Sequence, residues 1–354
     1  MRLATLAAAV LALAPPAVAS PQGVKNARVE TRSAASGLAA AVKAEASKPG
    51  PLWIGWSVPT SVEHSACCWS SGDRDDPSCR GCRLEGRDGS FQVDDAEGVR
   101  LEGSGRVRVL LRAEAGRVGR IRAVSEDCPL DAGGLPFVWL EQVRPAESVA
   151  LLETFVGLEQ GSDGGKRLDS AVTMAIAFHA DPAADAALER FLAPAQPLEL
   201  RKQSAFWMGQ ARGARGFEVL KRLAREDPDR RLREHAIFAL SQSHAPGAVD
   251  AIIEAARRDP DSHVRGQALF WLAQTASRRA PDAIRTALDD DPELEVKKKA
   301  VFALSQLPKH EGVPMLMSVA RTHQSYEVRK QAMFWLGQSG DPRAIAFFEA
   351  VLKP

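Results

Sequence analysis

Beyond residue 128 this chain has no cysteine, and beyond its first twenty residues it has no apolar run long enough to cross a bilayer. Over its whole length it has almost no net charge, with 46 Lys and Arg against 45 Asp and Glu. Each absence excludes something. A chain without net charge has no field to draw it to nucleic acid or to an anionic membrane surface, so its partners are not polyanions. The missing apolar runs exclude membrane insertion of everything after the start. The cysteine-free remainder needs no crosslinks to fold. P-loop, H-E-x-x-H and G-x-S-x-G motifs are also absent, which removes the commonest phosphate, zinc-hydrolase and serine-hydrolase chemistries.

At the start, MRLATLAAAVLALAPPAVAS has one positive charge at Arg2, a short apolar run and an A-x-A site at Ala17-Val18-Ala19. That order describes a secretory signal peptide over residues 1–19, cut before Ser20. No cysteine follows the cut, so no lipid anchor is expected, and the mature chain is read as exported, periplasmic or secreted. Residues 20–50, rich in Ala, Ser and Lys, read as a linker or one weak helix.

Residues 51–136 read as a small β-rich subdomain, with strands around FQVDD and in RVRVLLRAEAGRVGRIRAV, whose two arms form a hairpin across Glu114 to Gly116. It contains all five cysteines: Cys67, Cys68, Cys79, Cys82 and Cys128. In an oxidising compartment these form disulfides, two of them with one thiol spare. Adjacent Cys67 and Cys68 point apart, so each pairs with Cys79, Cys82 or Cys128 and not with its neighbour. Two other readings stay open: a zinc site using His64 and the cysteines, and a redox role for Cys79-Arg80-Gly81-Cys82.

From about residue 137 the chain repeats itself. SAFWMGQ at 204, AIFALSQ at 236, ALFWLAQ at 268, AVFALSQ at 300 and AMFWLGQ at 332 recur at one constant interval, without an insertion. A period of about 32 residues signals a solenoid. Three residues before each copy stands a basic residue (Arg201, Arg233, Arg265, Lys297, Arg329). Upstream of three copies stands Asp-Pro, at Asp227, Asp259 and Asp291, where Asp can accept helix-end amides. A second apolar-periodic segment lies between copies, giving two helices per repeat. SVALLETFV at 148 and LDSAVTMAIAF at 168 look like earlier helices, and AIAFFEAVL near the end like a capping one.

The pattern D-x-x-x-V-R-x-x-A-x-x-A-L in DSHVRGQALFWL, and DPELEVKKKAVFAL beside it, resembles the HEAT-repeat family, in particular the short bacterial type related to bilin-lyase HEAT-like repeats. The resemblance covers residues 137–354. It implies a mainly α fold, a right-handed α-solenoid of helix pairs following the Cys-containing β-rich subdomain, with the second helix of each pair lining the concave face.

At about 100° per residue, Val264, Ala268 and Leu272 form one arc of the repeated helix. Trp271 falls to its side, where a neighbouring repeat packs. The series Trp207, Ala239, Trp271, Ala303, Trp335 alternates large with small, as interdigitating helices require. Phe206, Phe238, Phe270, Phe302 and Phe334 sit about 200° from the core arc. Either they cover one another as a second small core, or they line an open groove for a peptide or protein. Gln210, Gln242, Gln274, Gln306 and Gln338 follow at i+4 and would flank them. Lys202, Lys298 and Lys330, one turn before their Phe, would add a basic rim.

For enzymatic chemistry there is little material. Some HEAT-like enzymes hold a di-iron site with His-Glu motifs repeated on equivalent helices, but here only His310-Glu311 occurs, unmatched in the other repeats. His179, His244, His263 and His323 scatter over different repeat positions and read as surface residues. The chain is therefore read as a non-enzymatic scaffold that binds a protein or peptide and needs no cofactor or metal. The alternatives are a thiol-redox or metal-sensing protein acting through the cysteines, and a HEAT-like enzyme or lyase-type accessory protein.

Overall fold

The computed structural model describes residues 23–62, 67, 78–79, 81–85, 99–100, 103–158 and 168–352. The signal peptide expected over 1–19 and the FQVDD segment lie outside them, as do His64 and Cys68. In chain order the front region contains β1 (Val24–Lys25), β2 (Val29–Ser33), α1 (Leu38–Ala46), β3 (Leu52–Pro59), β4 (Ser78–Cys79), β5 (Cys82–Arg83), β6 (Val99–Arg100), β7 (Arg106–Glu114), β8 (Arg117–Ser125), β9 (Leu130–Asp131) and β10 (Phe137–Glu141). A five-stranded sheet runs β2-β10-β3-β7-β8. In it β10 lies parallel to both β2 and β3, and the other pairs are antiparallel.

The front region is larger than its cysteines suggest. Residues 23–50, within the stretch read as a linker or one weak helix, supply one helix, α1, whose Leu38, Val42 and Ala46 are buried, and also the edge strand β2. The boundary at 136/137 also moves, because Phe137–Glu141 is a central strand of the sheet. The expected hairpin is present. It turns on Ala115 and Gly116, both with positive φ (50° and 79°), the pair of left-handed residues that a two-residue turn between twisted strands demands.

Strand β3 reads LWIGWSVP, nearly all apolar, because both faces of the sheet are covered. Leu52, Ile54, Trp56 and Val58 on one face join Val107, Val109, Leu111, Val138 and Leu140 in a core that continues into the helices. Trp53 on the other face packs with Leu110, Phe137, Trp139, Leu130 and Cys128 in a separate cluster. Gly55 sits there because a Cβ would come within 2.8 Å of Leu110 and 3.0 Å of the Phe137 ring.

Thirteen further helices complete the described chain: α2 (Pro145–Glu153), α3 (Asp169–Phe178), α4 (Pro182–Phe191), α5 (Leu198–Ala211), α6 (Gly213–Glu226), α7 (Arg230–Ser241), α8 (Ala248–Arg258), α9 (Ser262–Gln274), α10 (Ala280–Asp290), α11 (Leu294–Gln306), α12 (Lys309–Thr322), α13 (Tyr326–Gln338) and α14 (Pro342–Leu352). They form two layers of an α-solenoid. Helices α3, α5, α7, α9, α11 and α13 stack on one another, and the even-numbered helices form the other layer, with fewer mutual contacts. A stack that is tighter on one side curves toward that side, so the Phe-bearing helices form the inner layer.

A buried ion-pair ladder joins successive repeats. Arg201 pairs with Asp227 at 2.5 Å, Arg233 with Asp259 at 2.8 Å and Arg265 with Asp291 at 2.7 Å, each 26 residues apart. Arg233 and Arg265 also donate to the carbonyls of Asp227 and Asp259, so each guanidinium holds two consecutive loops. The hydrogen-bonded carboxylate pushes both guanidinium pKa values up from their ordinary value. The Asp of each Asp-Pro ends the outer helix and accepts the amide two residues on, whereas the next inner helix is capped by Asp229 or Asp261. The ladder stops where His323 replaces Asp: Lys297 bonds the Asp289 carbonyl and Arg329 that of His323.

Front sheet and solenoid meet through a buried polar relay. Trp56 Nε1 donates to Ser148 Oγ (2.7 Å), which lies 2.8 Å from His179 Nε2, and His179 Nδ1 is 2.7 Å from the Ala175 carbonyl. A carbonyl can only accept, so Nδ1 carries the proton and Ser148 donates to Nε2. His179 is thus not the surface residue that its position suggested. It is fully buried, and burial lowers its pKa to about 4. Nearby, Arg212 donates to Ser61 Oγ and to the Ala177 and His179 carbonyls, tying the end of β3 to α3 and α5.

Candidate functional site

The repeated Phe and Trp residues do not form two separate series. Each inner helix turns its Phe toward the inner face, and each Trp reaches back to the preceding helix, so the rings meet in one continuous ladder. Phe178 touches Trp207 (centroids 5.4 Å apart), Trp207 touches Phe206 (5.1 Å), and Phe206 stacks on Phe238 (6.0 Å). Phe238 meets Trp271 (4.8 Å), Trp271 meets Phe270 (4.9 Å), and Phe270 stacks on Phe302 at 5.8 Å with the planes 2° apart. Phe302 then meets Trp335 (4.9 Å), which meets Phe334 (5.1 Å).

The ladder is half-buried and not a closed core. Phe206, Phe238, Phe270 and Phe302 are partly exposed, Phe334 is 54% exposed, and Trp207, Trp271 and Trp335 are partly exposed as well. Trp, expected to pack between repeats, and Phe, expected either to cover one another or to line an open groove, share burial and contacts. Curvature brings the inner helices so close that side chains on adjacent sectors of the helical wheel meet across the helix boundary. Ala239 and Ala303, at the alternate Trp positions, are fully buried.

The true unit of this face is two repeats, because Trp recurs every second helix, and the glutamines follow it. On the Ala-bearing helices Gln242 and Gln306 donate to Ser241 and Ser305. On the Trp-bearing helices Gln210, Gln274 and Gln338 are exposed and make no hydrogen bond among the described residues. Four further polar atoms of the inner helices, Gln203 Oε1, Glu234 Oε1, His235 Nε2 and Trp335 Nε1, are buried and reach no hydrogen-bond partner among the described residues. His235 packs its ring on Phe238 (5.4 Å), and burial lowers its pKa.

The lysine rim is weaker than expected. Lys202 pairs with Glu199 (3.2 Å) and Lys298 with Glu295 (2.9 Å), which leaves Lys330 exposed near Phe334. A cleft of about 240 Å³ opens at the far end between α11, α12 and α13, floored by Leu304, Leu316 and Trp335 and edged by Gln306 and Gln338.

The cysteines build a staple. Cys67 and Cys128 form a disulfide across 61 residues, and Cys82 is disulfide-bonded as well. Cys82 and Cys128 are 1% exposed, in the cluster behind the sheet. These bonds use thiols that a zinc site on His64 and the cysteines would need. His310 and Glu311 lie on the exposed first turn of α12, with no counterpart pair beside them. Ser148 and His179 have the spacing of a nucleophile and its base, but both are fully buried, where no substrate reaches them. No helix among the described residues is long and apolar enough to cross a membrane.

Solved structures similar to this chain include Escherichia coli YibA (21% identity, TM-score 0.33, 46% of this chain and 61% of that one). Human deoxyhypusine hydroxylase in complex with glycerol matches at 19% identity and TM-score 0.25, over 58% of this chain and 77% of the other. The complex of CpcE and CpcF of phycocyanin lyase from Nostoc sp. PCC7120 matches at 20% identity and TM-score 0.31, over 58% and 80%. None of the curated proteins compared matches the chain. The HEAT-repeat family matches residues 184–273, 217–305 and 281–354 in overlapping segments. With the constant period, the paired helices and the stacked inner layer, residues 184–354 of this chain are HEAT repeats.

Proposed function

We propose that this chain is an exported, non-enzymatic HEAT-repeat scaffold that binds a protein or peptide along its inner face. The observation that carries the reading is the aromatic ladder, a continuous apolar strip from Phe178 to Phe334 left half-open on the tighter side of the solenoid. Contiguous apolar surface of this extent on a globular chain marks interaction. Donors and acceptors beside it, on Gln210, Gln274 and Gln338, can orient what binds. The leader-like first twenty residues and the Cys67–Cys128 disulfide favour an oxidising compartment outside the cytoplasm.

Proteins of the source envelope captured by the chain without residues 1–19 provide the test. The same species must be lost from a Phe270→Ala/Phe302→Ala double variant whose far-ultraviolet spectrum is unchanged. Equal capture by both chains would move the interaction off the inner face and end this reading. A thiol-redox role through Cys67, Cys82 and Cys128 is less favoured, because Cys82 and Cys128 are bonded and enclosed.

A further inference from the structure

We propose that β2 is the edge along which two copies of this chain join, antiparallel and centred on Thr31, so that their five-stranded sheets run into one. Strand β2 is the outer strand of its sheet, bonded to β10 alone, and it is exposed at every position except Glu30, which is half-buried. Phe137, opposite Val29, donates to the Arg28 carbonyl, and the Ala34 amide donates to the Glu141 carbonyl. Bonding residues alternate along such a ladder, so Arg28, Glu30, Arg32 and Ala34 face β10. The amides and carbonyls of Val29, Thr31 and Ser33 therefore point outwards, and none of these three amides has a hydrogen-bond partner among the described residues. Such a row is a template for another strand.

The side chains choose which strand fits. Charged side chains keep many exposed edges from pairing, and a row of one sign would do so here. Instead β2 reads Val29-Glu30-Thr31-Arg32-Ser33, with opposite charges at equal distances on either side of Thr31. Laid antiparallel on a second copy about Thr31, each Glu30 falls opposite an Arg32, and each Val29 opposite a Ser33. The three outward-pointing residues then form the hydrogen-bonded pairs, each exchanging N–H and C=O, with Thr31 bonded to Thr31 at the axis. Glu30 and Arg32 fall in the other pairs, where Cα atoms come to about 4.5 Å and cross-strand charges act most strongly. Sliding the copy two residues either way, the smallest shift that keeps outward groups face to face, sets Glu30 against Glu30 or Arg32 against Arg32. Within one chain Glu30 holds Arg28 at 3.3 Å and Arg32 at 2.6 Å, and Arg32 donates to the Thr31 carbonyl. Pairing moves that guanidinium to the carboxylate of the second copy and leaves the carbonyl to the incoming Thr31 amide. An edge of five residues is shorter than a stable interface needs, so the dimer is weak and forms as concentration rises.

The test is sedimentation of the chain, with and without residues 1–19, over a range of concentrations, beside the variants Thr31→Pro, Glu30→Arg and Arg32→Glu. A concentration-dependent dimer is expected from both forms of the native chain. Thr31→Pro removes an outward amide and spares the ladder to β10, and it should weaken association about tenfold or more. Glu30→Arg and Arg32→Glu each bring like charges together across the axis and should stay monomeric alone. Mixed, they set Arg against Glu at both pairs and should dimerise again, a recovery that a failure to fold could not give. A native chain that stays monomeric overturns the proposal, and a Thr31 amide protected from exchange in that monomer would give the edge to another part of the same chain. A dimer that needs residues 1–19, or that any of the three variants leaves unweakened, overturns it as well. So does a mixture of the two charge variants that fails to recover, since the pairing is then not centred on Thr31.

Discussion

In the front region the residues that touch are far apart in the chain, and in the solenoid they are close. Phe137 of β10 lies between Val29 of β2 and Trp53 of β3, and the Cys67–Cys128 bond spans 61 residues. Beyond α4, each helix packs on the one before it and on the inner or outer neighbour one repeat away, and each buried ion pair spans 26 residues. The sheet therefore stands or falls as a unit closed by distant pairings, whereas the solenoid is a sum of similar neighbour contacts. Where they meet, the core is continuous: Trp56 of the sheet and Val172 and Ile176 of α3 belong to one cluster. A defect in the front should thus reach the first repeats and fade toward α14.

Trp56→Ala attacks that meeting point and should have the largest effect. It removes a fully buried ring and leaves Ser148 without its Trp donor, a loss of up to about 5 kcal/mol. Hydrogen exchange should show protection lost in β3, α2 and α3 together, with α11 to α13 retaining theirs. Uniform loss along the whole solenoid would break the contrast drawn above. Reducing the Cys67–Cys128 bond comes next, at about 4 kcal/mol for a loop of this length. Urea unfolding with and without reductant should shift the transition of the front region most and that of the first repeats less. The far repeats, α11 to α13, should not respond.

Acid sharpens the same contrast through His179. Its folded pKa is about 4, below the ordinary value near 6.5, so the unfolded chain binds the extra proton between these values. Stability is unaffected above about pH 6.5, falls as pH drops from there toward 4, and then levels off, a total of about 3 kcal/mol. Denaturant midpoints at pH 7 and pH 4.5 should differ by most of this in the native chain. The difference should shrink in His179→Gln. An undiminished pH dependence in that variant would remove His179 from the account.

The smallest effect is expected inside the ladder. Because Phe270 and Trp271 are both half-buried and share contacts, Phe270→Ala and Trp271→Ala should each cost about 2 kcal/mol, less than a fully buried ring would. Thermal melts of the two variants should nearly coincide. A Trp271→Ala loss twice that of Phe270→Ala would restore the separation into a core series and a groove series.

The helices of the solenoid were legible because the constant period repeats the same local choices, and the helical wheel separates Val264, Ala268 and Leu272 from the rest. So was the turn at Ala115 and Gly116, where a short loop between alternating strands allows few conformations. The place of β2 and β10 was not legible. Parallel pairing between distant segments leaves no local pattern, and a strand covered on both faces, such as β3, loses the alternation that marks a strand. The Arg–Asp ladder could have been seen, since Arg201, Arg233 and Arg265 precede Asp227, Asp259 and Asp291 by one and the same interval. That spacing meant nothing until the loops were known to stack. His179 was misplaced for a related reason: a lone histidine after an apolar helix has no local sign of being buried.

By itself, then, the order of residues determined that the repeat region is a solenoid, where each repeated inner helix begins and which face of it is apolar, because these depend on interactions within a few turns of chain. Only the tertiary structure decided that Phe and Trp join in one ladder and that every second glutamine is left free. It also decided that β2 and β10 join the sheet and that His179 sits neutral between sheet and repeats. These outcomes depend on curvature and on pairing across the chain, which bring together side chains whose separation along the backbone carries no record of their contact.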